Sequence, residues 1–263
     1  MKPVRLGVVS YLNSEPLVWG LEQDPGFEVR RDVPSRVAEM LHAGEVDLGL
    51  IPSVEYARGG YAIVPGVSLA SRGPVRSVSL FHRRPLEEVR RVALDTSSRT
   101  SIALTRVLMR ERLGHDPEYL PMSPSLPAML DAADAALLIG DPALYCEGVG
   151  DLARLDLGEE WTARTRLPFV YAFWAGRPGV IDAAGVARLQ AARAAGLAAI
   201  PAIASRYNGQ GPDRTALNES YLRHNMVYEL GPGELAGLAE FYRRLHALAL
   251  VPEVPELRFH GHP

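Results

Sequence analysis

The chain consists of short apolar runs that end in small or polar residues, and this pattern constrains the fold more than any other feature. Runs at 4–9, 45–53, 91–94 and 135–139 have the composition of buried strands. Segments with apolar residues at helical spacing lie between them, and one such segment is 102–113. Strands that alternate with helices are typical of parallel sheets covered by helices. The sequence therefore predicts an α/β fold.

Two strand–helix series follow one another, which favours two lobes with a ligand cleft between them. We expect mixed or parallel sheets flanked by helices in each lobe. The predicted first lobe is discontinuous, with residues 1–84 and 176–263, and the second lobe comprises residues 85–175. From residue 178 onward the pattern is mainly helical, with helices predicted at 183–207, 214–223 and 233–250.

Composition excludes several classes of protein. The 263 residues include 28 Lys and Arg against 31 Asp and Glu, and no long basic block indicates nucleic-acid binding. Because Cys146 is the only cysteine, neither an internal disulfide nor a Cys-based zinc site is expected. The apolar stretch at the N-terminus is too short for a secretory signal or a membrane span, so we expect a cytoplasmic protein. The oligomeric state stays open, with a homodimer as one option.

The segment 95–101 combines five hydroxyls with Arg99 at the start of a predicted helix. The first N–H groups of a helix have no internal partner and lie at the positive end of its dipole, so this start suits an anionic ligand. We expect Arg99 to bind a ligand carboxylate through its planar guanidinium, although a surface arginine that covers its own helix is the alternative. The expected ligand-binding residues here are Ser97, Ser98, Arg99, Thr100 and Ser101.

Ligands of open α/β sheets lie beyond the carboxyl ends of the strands, and this rule selects further residues. The additional candidates in these loops are Ser10, Tyr11, Leu12, Asn13, Ser53, Ser77 and Asp141. The amide of Asn13 can both donate and accept, although it can equally form a turn before Pro16. Ser77 can alternatively be an ordinary serine at the start of a strand. Asp141 can alternatively stabilise a turn or cap a helix.

Known catalytic and cofactor motifs are missing. There is no G-x-S-x-G elbow, no P-loop and no G-x-G-x-x-G pattern, and the histidines lack the spacing of a metal site. We therefore expect neither a metal nor a cofactor.

Six segments in order resemble the chorismate dehydratases of the futalosine route to menaquinone. They begin with Tyr11-Leu12-Asn13 and Pro16-Leu17, and the others lie at 44–49, 73–77, 97–101, 138–141 and 167–174. The resemblance implies the two-lobed fold of type II periplasmic binding proteins. It also implies a lyase that removes water from chorismate to give 3-[(1-carboxyvinyl)oxy]benzoate.

The resemblance places the family's site asparagine at Asn13 and its site serine at Ser77, and we expect both to be catalytic. Loss of the C4 hydroxyl and the C3 proton makes the ring aromatic, so no redox cofactor is needed. The base stays open among Asp141, His82 and the side-chain carboxylate of the substrate, and we favour the substrate.

Two alternatives remain. One is a solute-binding protein for a small carboxylate, since the implied fold also serves transport. The other is the sibling enzyme 1,4-dihydroxy-6-naphthoate synthase, whose catalytic histidine would lie near Gly140. No histidine occurs between residues 116 and 223, which argues against the sibling.

Overall fold

Two five-stranded sheets form the framework of the computed structural model, which describes residues 2–146, 150, 152–208 and 212–261. The first sheet has the order β2-β1-β3-β10-β4. Strand β1 pairs in parallel with β2 and β3, whereas β10 runs antiparallel between β3 and β4. Its strands are β1 (Val4–Val9), β2 (Phe27–Asp32), β3 (Leu48–Pro52), β4 (Ala62–Ser71) and β10 (Phe169–Gly176).

The second sheet has the order β7-β6-β8-β5-β9. Strand β6 is parallel to β7 and β8, and β5 runs antiparallel to β8 and β9. Its strands are β5 (Val78–His82), β6 (Arg91–Asp95), β7 (Glu118–Met122), β8 (Ala135–Ile139) and β9 (Ala153–Asp156). Both sheets are therefore mixed, and the predicted two-lobed α/β class is confirmed.

Helices cover the sheets. The first six are α1 (Glu15–Val18), α2 (Pro34–His42), α3 (Arg99–Leu113), α4 (Leu126–Ala132), α5 (Gly140–Leu144) and α6 (Leu157–Thr165). The last four are α7 (Ala183–Ala198), α8 (Ile200–Arg206), α9 (Thr215–His224) and α10 (Pro232–Ala247). Within the described residues, no helix is both long and apolar enough to span a membrane.

The chain crosses between the sheets at 72–77 and 166–168. The boundaries that we predicted after residues 84 and 175 differ from these crossings, because β5 belongs to the second sheet and β10 to the first. Both strands pair with partners that are distant in sequence. Local patterns identify a strand, but they do not show which sheet it joins.

The single helix predicted at 183–207 is two helices. α7 ends at Ala198, and α8 begins at Ile200 with Pro201 in its first turn. Proline has no N–H to donate to the preceding turn, and its ring clashes with the backbone there, so a continuous helix is interrupted. α8 ends at Arg206, and Tyr207 follows it directly.

Strand β10 shows how the core surrounds the ligand-binding region. Phe169, Phe173 and Trp174 are fully buried, because β10 lies between two strands and is covered by helices. Tyr171 is the partly exposed aromatic residue of this strand. Its exposure marks the side of β10 that faces the space between the lobes.

Candidate active site

The ends of four strands surround one cavity between the lobes. Val9, Pro52 and Ile139 are the last residues of β1, β3 and β8, and Ser98 follows β6. The cavity contains about 460 Å³ of empty space, part of which is open solvent at its mouth. This interlobe cavity is lined by Val9, Tyr11, Asn13, Pro34, Pro52, Leu69, Val75, Ser77, Val78, Ser98, Ser101, Ile139, Gly140, Tyr171 and Ala172.

Ser77 reaches the cavity from the first crossing segment. The preceding residue, Arg76, has a φ of 63°, a left-handed conformation that is rare for a residue with a side chain. The carboxylate of Asp156 accepts the backbone N–H groups of Val75 at 3.0 Å and Arg76 at 2.6 Å. It also caps α6 by accepting from Gly158 at 3.0 Å. One carboxylate therefore fixes the unusual backbone that directs Ser77 into the cavity.

The Ser77 hydroxyl has a protein partner behind the cavity wall. The hydroxyl of Tyr221 donates to Ser77 Oγ at 2.7 Å, and Tyr221 is only 1% exposed. Burial raises the pKa of Tyr221 above its ordinary value, while the hydrogen bond with Ser77 opposes this shift. The phenol is therefore neutral at physiological pH and remains a donor.

Asn13 brings an unsatisfied acceptor to the cavity. Its Oδ1 is buried and has no hydrogen-bond partner among the described residues. A buried carbonyl without a partner costs about 1–3 kcal/mol, so such groups require an explanation. Because Asn13 lines the cavity, a hydroxyl of a bound ligand can satisfy this oxygen.

The start of α3 presents two hydroxyls to the cavity. Ser98 caps the helix by accepting from the Ser101 N–H at 3.3 Å, and it donates to Ser101 Oγ at 2.9 Å. Ser97 is not part of the lining, because its N–H and hydroxyl both donate to buried Asp95, at 2.9 and 2.6 Å. The two lining serines lie at the positive end of a 15-residue helix, which favours an anion.

The prediction that Arg99 binds a ligand carboxylate is not supported by its position. Its guanidinium donates to Glu55 at 2.9 Å and to Glu39 at 2.8 Å, and it does not line the cavity. Glu55 is only 2% exposed and also contacts His42 Nε2 at 2.8 Å. Arg99 is the first residue of α3, where the side chain leaves the helix away from the cavity. Protein carboxylates from the first lobe therefore take the place of the expected ligand.

Asp141 also has a different position from the one expected for a substrate-binding residue. Its Oδ1 accepts from the Leu12 N–H at 3.1 Å, and its Oδ2 accepts from the Tyr207 hydroxyl, which also lies 3.2 Å from the Ser10 carbonyl. Burial raises the pKa of Asp141. Neither Asp141, Leu12 nor Ser10 lines the cavity. These residues join the two lobes at the cavity rim.

Ser53 and Thr100 likewise connect the lobes beside the cavity without lining it. The Ser53 hydroxyl lies 3.4 Å from Thr100 Oγ1 and donates to the Val170 carbonyl of its own lobe at 2.8 Å, and the N–H of Val54 donates to Thr100 Oγ1 at 3.2 Å. Both side chains are buried. Of the predicted catalytic and binding residues, the structure brings Tyr11, Asn13, Ser77, Ser98 and Ser101 into the cavity wall.

Tyr11 and Gly140 form one side of the cavity together. The Tyr11 hydroxyl donates to Ser97 Oγ at 3.3 Å, and burial raises the pKa of Tyr11 to about 12. Gly140 has a φ of 62°, and a Cβ at this position would lie 2.6 Å from the Tyr11 ring. Glycine is therefore required both by the backbone and by the ring beside it.

Sequence reasoning missed Tyr171 and Tyr221. Tyr171 lies in an aromatic strand that is typical of a core, and only its position opposite the second lobe brings it to the cavity. Tyr221 is separated from Ser77 by 144 residues, so no local pattern connects the two hydroxyls. The apolar lining residues Leu69, Val75 and Ala172 were missed for the same reason.

The chemistry of the lining is neutral. Of the described residues that line the cavity, none has a carboxylate, imidazole, amine or guanidinium group. Among all the residues that the structure describes, no group of three or more His, Cys, Asp or Glu side chains is arranged to hold a metal ion. Hydroxyls, an amide and the start of α3 are therefore the groups that can bind a polar ligand here.

Two α/β lobes around a cavity at the strand ends define a protein with the periplasmic-binding-protein fold. Two solved structures share this fold. A protein of Archaeoglobus fulgidus, AF1704, has a TM-score of 0.74 at 16% identity and covers 95% of this chain and 99% of its own. The aliphatic sulphonate-binding protein SsuA of Escherichia coli has a TM-score of 0.70 at 17% identity, with 97% and 95% covered.

Sequence comparison identifies the family of the chain, which the shared fold alone does not. The profile of a family described as menaquinone biosynthesis matches residues 4–247, and the chain belongs to this family. A chorismate dehydratase of Thermus thermophilus is 34% identical over 264 residues, which cover 93% of this chain and 96% of that protein. The family that the sequence motifs resemble is thereby confirmed.

Proposed function

We propose that the protein is a chorismate dehydratase that converts chorismate to 3-[(1-carboxyvinyl)oxy]benzoate and water in menaquinone biosynthesis. One observation carries the proposal beyond family membership. The interlobe cavity places the unsatisfied Oδ1 of Asn13 and the hydroxyl of Ser77 in one neutral wall. These two groups are an acceptor and a donor for one ligand hydroxyl.

The proposed reaction is a cofactor-independent elimination. A base takes the proton from C3, the C3–H electrons form the C3=C4 double bond, and the C4–O bond breaks. The departing hydroxide takes up one proton and leaves as water. Since the ring becomes aromatic, the step needs no oxidant or reductant, and the protein has to position the reacting groups.

The leaving hydroxyl is positioned by two residues. The C4 hydroxyl donates to Asn13 Oδ1, and Ser77 donates to the C4 oxygen as negative charge develops there. A donor of this kind is already oriented in the cavity wall, and such donors contribute on the order of 10²–10³ in kcat. This role explains why an amide and a hydroxyl are sufficient without a charged acid.

The base is the side-chain carboxylate of the substrate. The described lining contains no basic side chain. The Asp141 carboxylate accepts hydrogen bonds from the Leu12 N–H and the Tyr207 hydroxyl and does not line the cavity. His82 is five residues beyond Ser77 along β5, which at about 3.3 Å per residue is roughly 16 Å away, and its Nδ1 contacts the Arg84 carbonyl. An intramolecular base held in the right geometry can supply about 7–11 kcal/mol of the barrier reduction.

The ring carboxylate is bound at the start of α3, because the side-chain carboxylate is the base. Ser98 and Ser101 supply hydroxyls there, and the helix dipole favours negative charge. Both serine side chains are buried, and buried donors act more strongly than donors in water.

The proposal is tested by incubating the purified protein with chorismate and separating the products by chromatography. We expect 3-[(1-carboxyvinyl)oxy]benzoate to form, and we expect Ser77→Ala to lower its rate of formation by about 100-fold or more. Ser79→Ala is the matched control, because Ser79 lies in β5, contacts Arg154 at 2.8 Å and does not line the cavity. Chorismate binding without product would instead establish a solute-binding protein.

A further inference from the structure

The hydroxyl of Ser77 can act as a donor only if its proton points into the cavity, and the structure shows what determines this direction. Tyr221 lies in α9, and its hydroxyl is 2.7 Å from Ser77 Oγ. A tyrosine hydroxyl has one proton, and this proton is used in the bond to Ser77. Since the Ser77 oxygen accepts from one side, its own proton is directed elsewhere.

The cavity is the direction that remains. Ser77 belongs to the cavity lining, and Tyr221 is the hydrogen-bond partner of its hydroxyl among the described residues. We propose that Tyr221 is a positioning residue that orients the Ser77 proton toward the leaving hydroxyl of the substrate. This inference rests on the proposed function.

The position of Tyr221 is itself determined by contacts between the lobes. In the same helix, Asn218 is fully buried, and its Nδ2 donates to the Ala204 carbonyl at 3.2 Å. Its Oδ1 accepts from the hydroxyl of Tyr145, in the second lobe, at 2.8 Å. The helix is therefore held from both sides, and the Tyr221 hydroxyl has a defined direction.

Tyr221 acts by orientation and not as the proton source. Burial raises the pKa of Tyr221, and the nearby Asp141 carboxyl raises it further. Loss of the phenol proton would create a charge on a side chain that is only 1% exposed, which is costly. The proton that completes the water molecule is instead the one removed from C3, so the elimination balances without ionising Tyr221.

The test compares two tyrosine substitutions. Tyr221→Phe removes the donor to Ser77. Tyr228→Phe is the matched control, because Tyr228 is also buried but its hydroxyl has no partner among the described residues. We expect Tyr221→Phe to lower kcat on chorismate by about 10- to 100-fold with little change in KM, as for a reacting group moved out of alignment. Tyr228→Phe is expected to keep wild-type kcat.

A double substitution separates positioning from a general structural effect. If Tyr221 acts through Ser77, Tyr221→Phe lowers kcat no further once Ser77→Ala is present. Full additivity of the two losses, or equal kcat values for Tyr221→Phe and Tyr228→Phe, would overturn the inference.

Failure of the proposed function is a separate result. It would appear as absence of product with the wild-type protein. Neutron crystal structures of the wild-type protein and of Tyr221→Phe then decide the inference without activity, because they show the hydroxyl proton of Ser77. A proton that points into the cavity in the wild type and turns away in Tyr221→Phe supports the role of Tyr221, and an unchanged direction refutes it.

Discussion

Substitution of Gly140 by alanine tests the cavity geometry quantitatively. A residue with a side chain at a φ of 62° pays about 1–2 kcal/mol for the left-handed backbone. The new Cβ would also lie 2.6 Å from the ring of Tyr11, which must then shift. Overpacking of this kind adds about 1–3 kcal/mol. We therefore expect Gly140→Ala to lower the free energy of unfolding by about 2–5 kcal/mol.

Gly114→Ala is the control that isolates the contact with Tyr11. Gly114 ends α3 in the same lobe, has a φ of 74° and has no atom within 4 Å of the added Cβ. Its substitution has the backbone cost of about 1–2 kcal/mol alone. The difference between the two variants therefore measures the steric contact in the cavity wall.

Both variants are compared by urea unfolding and by turnover of chorismate. The linear dependence of the unfolding free energy on urea gives each stability. We expect Gly140→Ala to lose turnover as well, because Tyr11 moves within the cavity wall, whereas Gly114→Ala keeps it. Equal stabilities and equal turnover for the two variants would refute the reasoning.

Three further substitutions separate ligand contacts from contacts between the lobes. Asn13→Ala should lower kcat by about 100-fold with an unchanged circular dichroism spectrum, and near-normal turnover would exclude Asn13 from the site. Arg99→Ala should lower the unfolding free energy by about 1–3 kcal/mol through the lost bond to Glu55, while a higher KM at unchanged stability would indicate a ligand contact. Burial raises the pKa of the Asp141 carboxyl, so the folded protein binds this proton more tightly than the unfolded chain does. The free energy of unfolding therefore falls as the pH rises from 3.8, the ordinary pKa, through the raised pKa of the folded state. Asp141→Asn should flatten that dependence, and an unchanged pH profile of urea unfolding would contradict it.

The local elements of the site could be predicted because they depend on neighbouring residues. Strand β8 has the predicted bounds, and α3 begins at Arg99, three residues before the predicted start at 102. Ser98 is the cap that a hydroxyl-rich helix start indicates. The strand-end rule also brought Asn13 and Ser77 into the candidate set, and both line the cavity.

The directions of the side chains could not be predicted in the same way. Arg99 has the residue type and the position expected of an anion-binding group, but Glu55 lies in reach on the opposite lobe. The Asp141 carboxylate likewise accepts its hydrogen bonds from Leu12 and Tyr207. A charged side chain binds the partners that folding brings to it, and these partners are distant in sequence.

The sequence by itself determined the α/β class, the family and the chemical types of the site groups, because these depend on periodicity, helix caps and ordered motifs. Only the tertiary structure decided that β10 joins the first sheet, that Arg99 contacts the other lobe and that Tyr221 lies behind Ser77. The reason is physical, since strand pairing, ion pairs and buried hydrogen bonds depend on distances in space between residues that are far apart along the chain.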